Sequence, residues 1–231
     1  MRLHRRASIA IAARAVVVLV LCAAAGALGV SAVRAQPQAI EPGGGPSFDE
    51  LYRQGQQINA SVRTLTARFT ETTSNALLER PLVEHGMLFM ERATPRVALR
   101  YEDTDRVLVI DGDRMTIVWP SRKIHQTQNI RATRRRVQGY FEDADASELR
   151  KVFDIALPGR SERPGTHEVA MVPTRRQISE TLSRLDLWVD SSTALMQAMR
   201  MTFGNGDTKL MEFEDVVPNA ALDETVFAVP K

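Results

Sequence analysis

The chain has 231 residues, of which 44% are hydrophobic and 25% charged. That composition excludes a disordered or fibrous chain and leaves room for one globular domain of ordinary size. The formal charge is +2, but five arginines lie within residues 1–35; without them 25 basic residues face 28 acidic ones, a charge of −3 that gives no reason to expect a nucleic-acid partner.

Met1 to Arg6 carries three arginines and no acid, Ala15 to Val30 is an unbroken run of 16 apolar and small residues, and Val33-Arg34-Ala35 offers small residues where a signal peptidase reads. Basic head, apolar middle and small-residue exit read as a secretory signal peptide over residues 1–35, cleaved after Ala35. The alternative is an uncleaved anchor, for which the run falls short of the roughly 20 residues that span a bilayer. Cys22, the single cysteine, follows Leu21 inside this run and reads as spacer rather than as an acylation site. The exported chain is then expected to lack disulfides and to rely on core burial.

Residues 36–46 hold three prolines and Gly43-Gly44-Gly45, a flexible leader ahead of one domain over 47–231. Ser47-Phe48-Asp49-Glu50 has the form of a capping box, and Leu51, Ile58, Val62 and Leu65 follow at helical spacing, predicting a helix of about four turns.

From Thr64 the period drops to two. Leu65, Ala67 and Phe69 alternate with Thr66, Arg68 and Thr70, and Val97, Leu99 and Tyr101 with Arg96, Ala98 and Arg100. In the run between them, Val83, His85, Met87 and Phe89 share one parity. Next come paired runs at 107–110 and 114–120 around Asp111-Gly112-Asp113, and a polar run from Lys123 to Ile130. Short turn signals between runs of this length predict a strand meander rather than βαβ units. The run Val107-Leu108-Val109-Ile110 is apolar on both faces, although such a sheet usually keeps one face wet.

Arg131, Arg134, Arg135 and Arg136 form a basic cluster, read as a solvated face, with anionic headgroups or an acidic partner as alternatives. The acidic stretch 142–145 precedes Ser147 to Leu157, predicted as a helix with Leu149, Val152, Phe153 and Ala156 on one face and stopped by Pro158-Gly159. Strands resume at Thr166, and Gly204-Asn205-Gly206-Asp207 is a hairpin signal. The expected class is α+β, mainly β: a curved antiparallel incomplete barrel of about nine to eleven strands with a helical lid.

Catalytic signals are weak. No nucleophile elbow, phosphate loop or zinc-protease motif is present, and His85, His125 and His167 stand alone. No catalytic residue, metal or cofactor is expected, and the chain reads as a binding protein, not an enzyme. Eight methionines fall in predicted strands: Met87, Met90, Met115, Met171, Met196, Met199, Met201 and Met211. Each fits an ordinary core; together they also suit a surface that repacks around fluid ligands.

Several segments in order resemble the periplasmic lipoprotein carrier family (LolA-like). These are the N-terminal helix with LTARFTE (65–71), EHGMLFMERATPRVALRYE (84–102), VLVIDGDRMTIVWPSRK (107–123) and the closing LDETVFAVP. The resemblance implies a monomeric periplasmic chaperone that binds the acyl chains of lipoproteins in an apolar cavity. It implies passage of that cargo from an inner-membrane transporter to an outer-membrane receptor, with no cofactor. The alternative is a lipid- or lipoprotein-sensing, or specialised lipid-binding, module of the same fold. Strand parity nominates Phe69, Phe89, Leu99, Tyr101, Met115, Ile117, Trp119, Met199, Met201 and Phe213 as cavity lining. Carriers of this family often latch the lid with an arginine before the third-strand proline. Here Thr94 precedes Pro95, and Arg92, Arg96 and Arg100 are the candidates to replace it.

Overall fold

The computed structural model describes residues 45–135 and 145–230. The expected signal peptide, most of the leader, Arg136 and the acids at 142–144 lie outside the described residues.

Helix α1 (Phe48–Ser61) starts as the capping box requires. The Ser47 amide donates to Glu50 Oε2 at 2.7 Å, and the Glu50 amide donates to Ser47 Oγ at 3.3 Å. Its buried side chains, Phe48 and Leu51, both lie in the first turn, so its C-terminal half is held by few apolar contacts.

Eleven strands follow: β1 (Thr64–Ser74), β2 (Leu82–Glu91), β3 (Arg96–Tyr101), β4 (Val107–Asp111), β5 (Arg114–Trp119), β6 (Ile124–Asn129), β7 (Phe153–Ala156), β8 (Thr166–Pro173), β9 (Leu182–Asp190), β10 (Met196–Phe203) and β11 (Thr208–Pro218). They form one antiparallel sheet in the order β6-β5-β4-β3-β2-β1-β11-β10-β9-β8-β7. Two meanders are thus joined where the first and last strands pair, giving a curved sheet that stays open at β6 and β7. The open, curved antiparallel sheet with few helices is the incomplete α+β barrel expected from the strand count.

The expected helix from Ser147 to Leu157 is shorter than its periodicity suggests. Asp145 caps α2 (Ala146–Arg150), but Phe153–Ala156 pairs with β8 as an edge strand. Phe153 shares a strand face with Ile155 and would share a helix face with Leu149, Val152 and Ala156, and the otherwise open edge of β8 offers a ladder that decides between the two. A four-residue helix α3 (Arg176–Ser179), carrying no sequence signal of its own, bridges β8 and β9.

One face of the sheet, hereafter the inner face, carries the main core. Phe48 and Leu51 of α1 and Leu149 of α2 pack there with Leu88, Leu99, Leu108, Ile117, Met171, Leu185, Met199 and Met201. On the outer face a smaller cluster joins Ala98, Val107 and Val109 to Phe227, with Phe89, Leu222 and Val226 around it. Hence β4 is apolar on both sides because both sides are covered: Leu108 and Ile110 by the main core, Val107 and Val109 by the chain's own C-terminal segment.

Candidate functional site

The inner face changes character along its length. At one end, the start of β1, the end of β2, the start of β3, the start of β10 and the end of β11 border an apolar, partly open pocket of about 80 Å³. The sheet supplies Leu65, Ala67, Leu88, Met90, Val97, Met199, Phe213 and Val216, while Leu195 and Met196 close the side. Among the described residues, Asn59 of α1 is the only polar side chain on its wall.

Asn59 is also where the helix is fastened. Arg92, just past β2, donates from Nη1 to the Asn59 carbonyl at 2.6 Å and from Nη2 to its Oδ1 at 3.3 Å. The last turn of α1 has no basic residue of its own. The guanidinium therefore supplies, from the sheet, the positive charge that the carbonyl end of a helix favours. Of the three arginines considered as latches, Arg92 reaches α1; Arg96 and Arg100 are on the outer face, where they hold the C-terminal segment.

Midway along the inner face the packing is solid. Gly86 pairs with Phe69 and Tyr101, and a Cβ there would lie 2.2 Å from the Arg100 carbonyl oxygen and 2.7 Å from the Phe69 ring. The missing side chain lets Phe69 lie across β2 and meet Tyr101 edge to face, with ring centroids 5.1 Å apart.

The far end of the inner face is polar. Glu71 accepts from Lys209 Nζ at 2.6 Å, from the Tyr101 hydroxyl at 3.0 Å and from Arg106 at 3.3 Å; Arg106 also reaches Glu84 at 2.8 Å. Two carboxylates thus meet two cations, with Glu71, Glu84 and Lys209 all buried. Burial alone would raise the Glu71 carboxyl, but Lys209 and Arg106 outweigh it and hold it below the usual range. At Glu84 burial wins over Arg106, and the carboxyl is pushed up. The Tyr101 hydroxyl is driven well above its ordinary value by burial and by the Glu71 charge.

The ten residues nominated by parity are distributed over these zones. Met199 and Phe213 border the cavity. Phe69, Leu99, Tyr101, Met115, Ile117 and Met201 belong to the packed inner core beyond it. Trp119 stands at the rim, its ring under the Arg122 guanidinium at 3.7 Å and near Arg106 at 5.5 Å. Phe89 is on the opposite face: β2 turns Leu88 and Met90 inward and gives Phe89 to the outer cluster. Parity also left out Leu65, Ala67, Val97 and Val216, whose alternation was visible in part, and Asn59, which carried no apolar signal. His85, His125 and His167 lie on β2, β6 and β8, and no three His, Cys, Asp or Glu side chains among the described residues are grouped to hold a metal ion.

Among solved structures, an uncharacterized conserved protein from Thermus thermophilus aligns with a TM-score of 0.50 at 6% identity, over 79% of this chain and 93% of that one. The Mycobacterium tuberculosis lipoprotein LppX gives 0.49 at 10% identity, over 76% and 97%. The LolA superfamily protein NE2245 from Nitrosomonas europaea gives 0.39 at 8%, over 80% and 99%. The likeness is one of fold. No protein-family model and no curated protein matches the chain.

Proposed function

We propose that the chain binds the acyl chain of a lipid or lipoprotein at the cavity beneath the C-terminal half of α1, with that half of the helix as a lid. The observation that carries this reading is the pocket itself, apolar on every wall but Asn59, partly open to solvent, and bordered by a helix end that Arg92 fastens.

In the closed form the site is a foothold rather than a full berth. An engineered cavity of about 150 Å³ lined by Leu, Ile and Phe admits benzene; this one, at about 80 Å³, has room for the end of a hydrocarbon chain. Admitting more requires α1 to lift and the wall to repack. Met90, Met196 and Met199 are suited to that, being unbranched and polarizable. The gain is large: each buried CH₂ contributes about 0.8 kcal/mol, so a chain of ordinary length gains on the order of 10 kcal/mol on leaving water. The Glu71–Lys209–Arg106 group closes the opposite end and sets how far an apolar tail runs along the inner face.

The finer reading is a periplasmic carrier that takes acylated lipoproteins from an inner-membrane transporter to an outer-membrane receptor. It rests on the sequence resemblance and on the signal-peptide pattern of residues 1–35. The test is titration with cis-parinaric acid and with a diacylated lipopeptide. Saturable binding that palmitate displaces is expected; no saturable binding of either ligand overturns the reading. Native mass spectrometry of protein drawn from the periplasm then separates carrier from sensor: lipoprotein cargo supports the first, free lipid alone the second.

A further inference from the structure

The C-terminal segment is joined to the sheet by side chains rather than by a strand ladder. Beyond β11 the chain turns at Asn219, whose φ of 58° is in the left-handed region. Its amide donates to the Thr64 carbonyl at 2.7 Å, its Oδ1 accepts from the Arg63 amide at 2.8 Å, and the Ala220 carbonyl accepts from Thr64 Oγ1 at 2.6 Å. Residues 63 and 64 are where α1 hands over to β1, so the segment is pinned at the hinge of the lid.

It then crosses the outer face to β3. Asp223 caps a single 3-10 turn, Glu224–Phe227. Arg96 receives the Glu224 carboxylate on both terminal nitrogens, at 2.5 and 2.9 Å, and its guanidinium covers the Phe227 ring at 4.5 Å. Arg100 donates to the carbonyls of Thr225, Val226 and Ala228 at 2.8–3.1 Å. Phe227 fills a dent floored by Ala98, Val107 and Val109. A carboxylate and an aromatic ring three residues apart, both met by Arg96 while Arg100 holds the intervening backbone carbonyls over an apolar floor, make up a short linear motif seated in a groove.

We propose that this groove on β3 and β4 is a docking site held in cis by residues 222–227. A partner protein presenting an exposed carboxylate followed three residues later by an aromatic side chain displaces this strap, residues 222–227, and so loosens the adjoining Asn219 and Ala220, which hold residues 63 and 64 at the end of α1. The second half of this inference rests on the lid role proposed above. The strap is built to yield: Glu224 is 77% exposed, where an ion pair adds little, and Phe227 is its one buried anchor. A tethered segment has an effective concentration on the order of millimolar. A partner must therefore add contacts of its own, and a bare peptide competes poorly until the strap is weakened.

That asymmetry supplies the test, made on the full chain with a labelled synthetic peptide of residues 219–231. Phe227→Ala empties the apolar part of the groove; separately, Glu224→Lys sets a cation against Arg96 and loosens the strap while keeping Phe227, which guards against simple unfolding. At least tenfold tighter peptide binding to both variants than to the wild type is expected, lost again when Arg100→Ala is added. Amide exchange across residues 55–61 of α1 is expected to speed up in both variants and no more than slightly in β8–β10. Equal peptide binding by variants and wild type overturns the docking site. Unchanged exchange in α1 overturns the coupling. Neither readout uses a lipid, so absence of acyl binding would sink the proposed function and leave both arms standing.

Discussion

Arg92 and Asn59 meet across the end of α1, the guanidinium on both the backbone and the side-chain oxygen of the same residue. The Asn59 carbonyl also accepts the closing hydrogen bond from Val62, so the last helical turn and its attachment to the sheet share one atom. Phe48 and Leu51 anchor the first turn and the buried C-cap Val62 anchors the exit, and between them the second half of the helix is held chiefly by the hydrogen bonds at Asn59. Local opening is cheapest where apolar contacts are few.

Arg92→Ala is therefore expected to free the second half of α1 while leaving the sheet intact. Hydrogen bonds to a charged group contribute about 1.5–3 kcal/mol, and the global loss should not exceed that. Amide exchange in residues 55–61 should rise and acyl uptake should quicken, read by cis-parinarate fluorescence in stopped flow. Exchange equal to the wild type would show that packing, not Arg92, fixes the helix end.

Ala67→Leu tests the cavity from its floor. Ala67 is 1% exposed and borders the void, so a larger side chain fills space that an acyl end would occupy. Stability should hold or rise, as filling a void recovers packing, while acyl affinity falls by about tenfold or more, a loss of about 1.4 kcal/mol or more. Opposite signs in melting temperature and affinity distinguish a binding cavity from a packing defect; unchanged affinity would place the ligand elsewhere.

The sequence disclosed the strands better than their faces. The capping box at Ser47, the period-two runs and the Gly204–Asp207 hairpin each have one local reading, and the sheet follows from them. The parity of β2 was hidden for a physical reason. Its outer residue Phe89 is covered by the C-terminal segment, its inner position 86 has no side chain, and both faces are apolar at 87–90. The 147–157 run failed because four residues at the sheet edge satisfy both periodicities, and only the partner strand decides. Leu99 and Ile117, at 1% and 8% exposure, lie within close packing. A charge placed at either would act on folding before it acted on any ligand.

Glu71 and Lys209 give a prediction with a defined pH sense. Removing one partner of a buried pair leaves the other uncompensated, so Glu71→Gln should destabilise by about 3–5 kcal/mol. The folded-state pKa of Glu71 lies below its ordinary value. Its contribution is thus complete above the usual glutamate pKa of about 4.3 and fades as pH falls through the depressed value. Urea midpoints of wild type and variant should converge only in that acid range. Glu84, with its carboxyl pushed up, is disfavoured in its charged form, and Glu84→Gln should cost less at neutral pH. Equal costs for the two variants would contradict Glu71, which holds Lys209 in addition to the Arg106 it shares with Glu84, being the better compensated carboxylate.

Gly86→Ala asks whether the aromatic crossing in the middle of the sheet depends on an absent side chain. The added Cβ meets the Arg100 carbonyl at 2.2 Å and the Phe69 ring at 2.7 Å, and the first neighbour is backbone in the adjoining strand. Overpacking costs about 1–3 kcal/mol, and the upper end is expected because β2 and β3 must part for the methyl group to fit. Phe69→Leu in the same chain relieves only the ring. The double variant should be less destabilised than the two single costs added together, yet still worse than Phe69→Leu alone. A neutral Gly86→Ala in urea denaturation would mean that β2 and β3 lie farther apart than the Gly86–Tyr101 pairing places them.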